Sequence, residues 1–188
     1  VAAGLNEVLV SSRPRVGIVS TGDELILPGT DPEPGQIIGS NAVFLKNFVA
    51  TCGAEVVDLG IVRDLPRAML SAVRSAKNLD LIVTTGGASV GKHDHIVSDL
   101  DGNAKSGLNF WKIAMRPGKP LISGSVDGIP LIGLPGNPVS TSVCALIFLR
   151  PAIFHMVRGC VTYPTSLTPL GVDLIANDHR QDYIRANL

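Results

Sequence analysis

Three acidic residues follow short apolar runs: Glu24 in "STGDEL", Asp64 in "VRDLP" and Asp94 in "TTGGASVGKHD". Carboxylates gathered at one sheet rim suit a hard divalent cation. Mg²⁺ takes one or two of them and leaves its other positions to water and substrate phosphate oxygens. Taken singly, each acid reads equally well as a helix cap or a solvated turn residue.

The loop carrying Asp94 holds Gly86, Gly87 and Gly91 within a few residues, with Ser89 between them. Gly86 and Gly87 let the backbone turn sharply off a strand and bring its N–H groups close to a ligand, and Ser89 adds a hydroxyl. A helix starting near Asp94 would turn its positive end to the same place, an arrangement suited to phosphate. The loop matches neither GxxxxGK[ST] nor GxGxxG, so the usual nucleotide signatures do not apply. A plain glycine turn with Asp94 as a cap is the competing reading.

Cations are densest in "WKIAMRPGKP", where Pro117 and Gly118 set a turn that can bring Arg116 and Lys119 together, with Lys112 close by. Such a group suits an oxyanion, or is simply a solvated face. In "LPGNPVS", Pro135 and Pro138 stiffen a loop through Gly136 and Asn137, and Ser140 and Thr141 are placed to cap the next helix. His93 and His95 flank Asp94, but a spacing of two positions without nearby Cys makes a poor zinc site. No Gly-x-Ser-x-Gly or Cys/His nucleophile pattern occurs.

The elements that must position these groups alternate. "RVGIVST", "AEVVDLGIV" and "DLIVTT" read as strands, and "AVFLKNFVATCG" and the stretch entered through Asp64 or Leu65, with Pro66 in its first turn, as helices, the former with Ser40 and Asn41 as candidate caps. "DHIVSDL" reads as a short helix, "FWKIAM", "PLISG" and "IPLIGL" as further strands, and "TSVCALIFL" as a buried helix. This order predicts an α/β fold with a mostly parallel sheet, and ligands bind such sheets outside the carboxyl ends of the strands. The loops "STGDEL", "VRDLP", "TTGGASVGKHD" and "LPGNPVS" all fall there. Beyond Arg158, "GCVTYPTSLTPLGVD" is turn-rich, which predicts a boundary near 159 and the start of a small β-rich module.

Composition fits this reading. The chain is 45% hydrophobic and 17% charged, with sixteen basic and sixteen acidic residues, so it offers no electrostatic footprint for nucleic acid or anionic membrane. The longest uninterrupted apolar run considered, "SVCALIFL", falls well short of a bilayer span. The first residues lack a signal-peptide pattern and read as a cut piece. Cys52, Cys144 and Cys160 share no CxxC spacing and read as reduced thiols of a cytoplasmic protein.

In this order and spacing, "STGDEL", Ser40–Asn41, "GIVRDLP", "DLIVTTGGASVGKHD", "FWKIAMRPGKP" and "GLPGNPVS" resemble the third domain of the MoeA family, the molybdopterin molybdenumtransferases related to the gephyrin E domain. The resemblance implies a three-layer α/β/α, MogA/MoaB-like domain over 15–158. Residues 1–14 would be a linker from preceding domains, and 159–188 the truncated start of a C-terminal β domain. It implies insertion of molybdate into adenylylated molybdopterin with release of AMP, aided by Mg²⁺. Glu24, Asp64 and Asp94 match the family's functional acids. Lys112, Arg116, Lys119 and Ser140 match its anion-binding positions, with Arg185 a weaker match and Arg116 standing where many relatives have lysine. The resemblance extends substrate binding to Ser40, Asn41, Gly86, Gly87, Ser89, Gly91, Pro135, Gly136 and Asn137. A homodimer, a MogA-like partner and a cytoplasmic setting are further implications. A MogA-type adenylyltransferase and a nonenzymatic gephyrin-like scaffold are the alternative readings.

Overall fold

The computed structural model describes residues 4–86, 95–101, 106–158, 165–175 and 177–186. The β-branched runs pair as expected from their burial on both faces. In chain order the elements are β1 (Arg15–Thr21), the two-residue β2 (Leu25–Ile26) and β3 (Ile37–Ile38), α1 (Ser40–Thr51), β4 (Glu55–Val62), α2 (Ala68–Ser75), β5 (Leu81–Thr85) and α3 (His95–Asp101). There follow β6 (Ser106–Trp111), β7 (Met115–Arg116), β8 (Ile122–Val126), β9 (Ile129–Leu134), α4 (Pro138–Cys144), a π-helical turn (Ala145–Leu149), α5 (Arg150–Arg158) and β10 (Gln181–Asp182).

The main sheet has the order β4-β1-β5-β9-β8-β6. Pairs β4–β1, β1–β5 and β5–β9 are parallel, whereas β8 runs against both neighbours. Alternate residues of the strands feed two cores. Val16, Ile18, Leu81, Val83 and Leu134 pack with Leu45 and Val49 of α1 and with Cys144, Ala145, Leu149 and Ile153 of the last helices. Val19, Ile82, Ile122 and Leu131 pack with Met69, Leu70 and Val73 of α2 and with Ile96 and Leu100 of α3. Helices therefore cover both faces, giving the expected three-layer α/β/α architecture.

From β1 the chain crosses to β4 on one side, while from β5 it passes through α3 to β6 at the opposite edge. The connections diverge between β1 and β5, and the crevice at the carboxyl ends of that pair is where an open α/β sheet receives a ligand.

Several boundaries differ from the sequence reading. Ser40 and Asn41 do not cap α1: Gly39 holds the cap position, without a side-chain bond, and both residues lie inside the first turn. Helix α2 starts at Ala68, after Arg67 at φ 63°, and not at Pro66. Both carboxylate oxygens of Asp99, on α3, accept the Arg67 backbone N–H at 2.9 Å, so the anchor of α2 comes from another helix. "FWKIAM" is not one strand, because Lys112 takes φ 67° and separates β6 from β7. Helix α4 is capped by Asn137 and not by Ser140 or Thr141; its Oδ1 accepts from the N–H groups of Val139 at 3.0 Å and Ser140 at 3.1 Å. Thr141 is fully buried and donates its hydroxyl to the carbonyls of Pro135 and Asn137 instead.

The last helices form one continuous rod. At the π turn, the Arg150 N–H reaches the Ala145 carbonyl, immediately before Pro151. Proline removes a donor and crowds the carbonyl four residues earlier, and a widened turn accommodates both. Pro138–Val157 thus reaches 20 residues with a mean hydropathy of 1.5, enough by length and composition to cross a bilayer. The count of consecutive apolar residues did not anticipate this. Here the rod lies on the sheet, with Cys144, Ala145, Leu149 and Ile153 fully buried.

Cys52 and Cys144 are buried, unpaired thiols; burial raises both pKa values, that of Cys144 to about 11. Cys160 lies outside the described residues. Asp99 is 8% exposed and supplies the acceptor at the start of α2. Replacing it with Ala is expected to cost about 0.5–2 kcal/mol in urea denaturation, the range for losing a carboxylate or hydroxyl acceptor at a helix start.

Candidate functional site

A cavity of about 270 Å³ opens at the ends of β1 and β5. Ser20, Thr21 and Glu24 come from β1 and its loop, Thr85 and Gly86 from β5, Gly39, Ser40 and Asn41 from the start of α1, and Gly136 and Pro138 from the start of α4. Leu25, Ile37 and Ile38 supply an apolar wall.

Its geometry rests on close backbone approach. A Cβ on Gly86, at φ +87°, would sit 2.1 Å from the Thr21 carbonyl oxygen, so no other residue keeps β1 and the β5 loop this close. Gly136 packs on the other side, its Cβ position 3.6 Å from the Gly86 Cα. Asn41 joins the three segments, its Nδ2 donating to Thr85 Oγ1 at 3.0 Å and to the Gly136 carbonyl at 2.7 Å.

Two features place polar groups at this largely apolar cavity. The hydroxyls of Ser20 and Thr21 are buried and have no hydrogen-bond partner among the described residues. A buried hydroxyl without a partner is costly, so the close packing of β1 against the β5 loop is held at some expense to the fold. The N-terminus of α1, uncapped by any side chain, ends at the same wall, adding N–H groups and the positive end of a twelve-residue helix. Ser20 and Thr21 were not among the candidates read from the sequence, although hydroxyl residues closing an apolar strand were a usable signal.

The acids gather beside this cavity. Asp64 lies at the end of β4, its N–H donating to Asp23 Oδ1 at 3.3 Å, and the Arg63 guanidinium donates to the same oxygen at 3.2 Å. Burial pushes the Asp64 pKa up; the carboxylates of Glu24 and Asp23 push it further, and His95 opposes them. Glu24 and Asp64 are therefore neighbours, as their loops implied, and Asp23 is an addition. Among the described residues no three His, Cys, Asp or Glu side chains form a complete metal site. Gly87, Ser89, Gly91, His93 and Asp94 lie outside the described residues.

The expected group of cations divides. Lys112 Nζ stands 3.6 Å from the Trp111 ring centroid, a cation–π contact. Arg116 is held by Asp182, with Nε to Oδ1 at 3.0 Å and Nη2 to Oδ2 at 2.5 Å. Lys119 is exposed, and its backbone carbonyl accepts from Ile113. Gly118, at φ +118°, leaves no room for a Cβ, which would lie 2.6 Å from Cys144 Sγ. None of Lys112, Arg116 and Lys119 lines the cavity, and neither do Pro135, Asn137, Ser140 and Arg185. Asn137 and Ser140 instead build the α4 cap, and Arg185 is exposed.

With this geometry in place, the family description "Probable molybdopterin binding domain" matches residues 17–155, most of the chain. The chain belongs to this molybdopterin-binding domain family. The domain is 43% identical over 165 residues to molybdopterin molybdenumtransferase 2 of Mycobacterium tuberculosis (strain ATCC 25618 / H37Rv), with 84% of this chain and 40% of that protein covered. It is 38% identical over 151 residues to the molybdopterin molybdenumtransferase of Haemophilus influenzae, covering 80% of this chain and 37% of the relative. The molybdopterin biosynthesis MoeA protein of Pyrococcus horikoshii superposes with a TM-score of 0.69 at 30% identity, over 78% of this chain and 36% of that one. MoaB of Thermus thermophilus shares the fold, with a TM-score of 0.54 at 21% identity over 77% of this chain and 96% of that one. The domain thus spans about 40% of the length of the molybdenumtransferases it matches.

Two outcomes follow. Asn41→Ala should lower stability by about 1–2 kcal/mol, the worth of a lost pair of bonds, measured by urea denaturation. Because the folded state holds the Asp64 proton to higher pH than the unfolded chain, stability falls as pH rises from the ordinary value of 3.8 through the raised one. Asp64→Asn removes this penalty. The variant should gain on wild type above that window and lose the advantage below it, as read from denaturation midpoints at successive pH values.

Proposed function

We propose that the domain is the ligand-binding part of a molybdopterin molybdenumtransferase, which inserts molybdate into adenylylated molybdopterin and releases AMP. The observation that carries this reading is the cavity at the β1/β5 crevice, with its unpartnered Ser20 and Thr21 hydroxyls and the bare N-terminus of α1. It supports binding of the pterin-linked phosphate by the N–H groups at the start of α1 and at Gly86; Gly87, Ser89 and Gly91 are assigned to the same phosphate by likeness of position. Ser40, Asn41, Gly136 and Pro138 shape the cavity floor, and Lys112, Arg116 and Lys119 draw in molybdate; Pro135, Asn137 and Ser140 are assigned to the substrate by likeness of position. Arg185 is assigned to the same anion by likeness of position.

Glu24, Asp64 and Asp94 are the acids of the site. Carboxylate oxygens are the donors Mg²⁺ prefers, and of the causes that raise the Asp64 pKa, burial first and then repulsion from Glu24 and Asp23, a bound cation would relieve the repulsion. An incomplete protein ligand set also suits an ion that keeps waters and phosphate oxygens. When bound, Mg²⁺ supplies charge neutralisation at the pyrophosphate. The domain's own contribution is to fix the phosphates with backbone and hydroxyl donors, so that the phosphoanhydride is presented to the acids while molybdate approaches the dithiolene.

In this reading residues 15–158 form the binding unit, 1–14 link it to preceding domains, and 159–188 open a C-terminal β module. The whole protein is a cytoplasmic homodimer able to receive its substrate from a MogA-like partner. The test is incubation of the full-length protein with adenylylated molybdopterin, molybdate and Mg²⁺. AMP release is expected, and Asp64→Ala and Asp94→Ala should each reduce it at least tenfold, a transition-state loss of about 1.4 kcal/mol. ATP consumption without AMP release from the adenylylated substrate would point to an adenylyltransferase. Neither activity would point to a scaffold.

A further inference from the structure

Arg116 is supported from the far end of the chain. Strand β10 lies parallel to β7, with Asp182 opposite Arg116, and the Gln181 and Tyr183 N–H groups donate to the Ala114 and Arg116 carbonyls at 2.8 Å each. These bonds fix the Asp182 backbone. Its carboxylate, 12% exposed, takes the Nε–H and one Nη2–H of Arg116, whose side chain is 53% exposed.

A guanidinium has five N–H groups in one plane, and a forked carboxylate occupies two of them. The Nη1 donors and the second Nη2–H remain. We propose that Asp182 is a positioning residue for anion capture: it fixes the plane of the Arg116 guanidinium so that the remaining N–H edge meets the oxygens of molybdate. This rests on the assignment of Arg116 to molybdate made above.

The pair explains the choice of side chain. A lysine opposite Asp182 would be a point charge neutralised by its partner, with no second edge to offer. Arginine can serve a carboxylate and an oxyanion together. Because the Arg116–Asp182 pair is nearly neutral, Lys112 and Lys119 provide the net attraction and Arg116 the directional bonds.

The test uses this chain with molybdate as the probe, followed by titration calorimetry and by the ¹⁵N side-chain resonance of Arg116 Nε–H. In wild type that resonance is expected to be protected and to shift saturably with molybdate. Asp182→Asn should weaken binding roughly five- to tenfold, and Asp182→Glu should restore part of it. In an Arg116→Lys background the sign should reverse, Asp182→Asn now strengthening binding by freeing the lysine charge. The Tyr183 amide reports whether β10 stays on β7; if it detaches in Asp182→Asn, the Asp182→Glu variant, with the strand in place, decides. Tighter or unchanged binding in Asp182→Asn, no reversal in the lysine background, or no molybdate shift at Arg116 would overturn the proposal. A saturable shift without AMP release from the full-length protein would leave it standing and sink the transfer reading. AMP release with no shift at Arg116 would do the opposite.

Discussion

The amide of Asn41 holds together three parts of the chain that would otherwise be independent. Its two donors reach Thr85 at the end of β5 and the Gly136 carbonyl before α4, closing the floor of the cavity from the first turn of α1. Two donors on one rigid sp² group fix an angle as well as a distance. Around that tie, the backbone of Gly86 comes so near Thr21 that a methyl group would overlap the carbonyl oxygen. The crevice therefore owes its shape to close backbone contact and the Asn41 amide, with Leu25, Ile37 and Ile38 as its apolar wall.

Charge is distributed in two places. Glu24, Asp23 and Asp64 crowd one rim, where burial and like charge hold Asp64 in its protonated form longer than usual. The cations are placed elsewhere and are themselves partly engaged, Lys112 by an aromatic ring and Arg116 by a carboxylate. The division is not complete, since Arg63 donates to Asp23 on the acidic rim and Asp182 largely neutralises Arg116.

The C-terminal segment takes part in this arrangement. Only two residues form β10, yet the strand sets Asp182 against Arg116 across a separation of 66 positions. A segment with few buried apolar side chains gains its place from backbone hydrogen bonds and one ion pair, so its docking is local in energy although remote in sequence.

What the sequence determined by itself is the alternation of elements and the rim on which the loops fall. The runs of β1, β4 and β5 were legible because strands buried on both faces must be apolar throughout, and the helices because glycine and proline bound their periodic stretches. Gly86 was legible as a sharp turn for the same reason. Tertiary structure alone decided which polar atoms meet. Ser40 and Asn41 read as caps, yet Asn41 bonds to residues 44 and 95 positions away; Asp64 read as a candidate start of α2, yet Asp99 anchors that helix. Arg116 read as one of three converging cations and is instead oriented by Asp182. Hydrophobic periodicity is a local property, written in neighbouring residues. A hydrogen bond depends on placement to within a few tenths of an ångström, and that is set only when sheet and helices have packed.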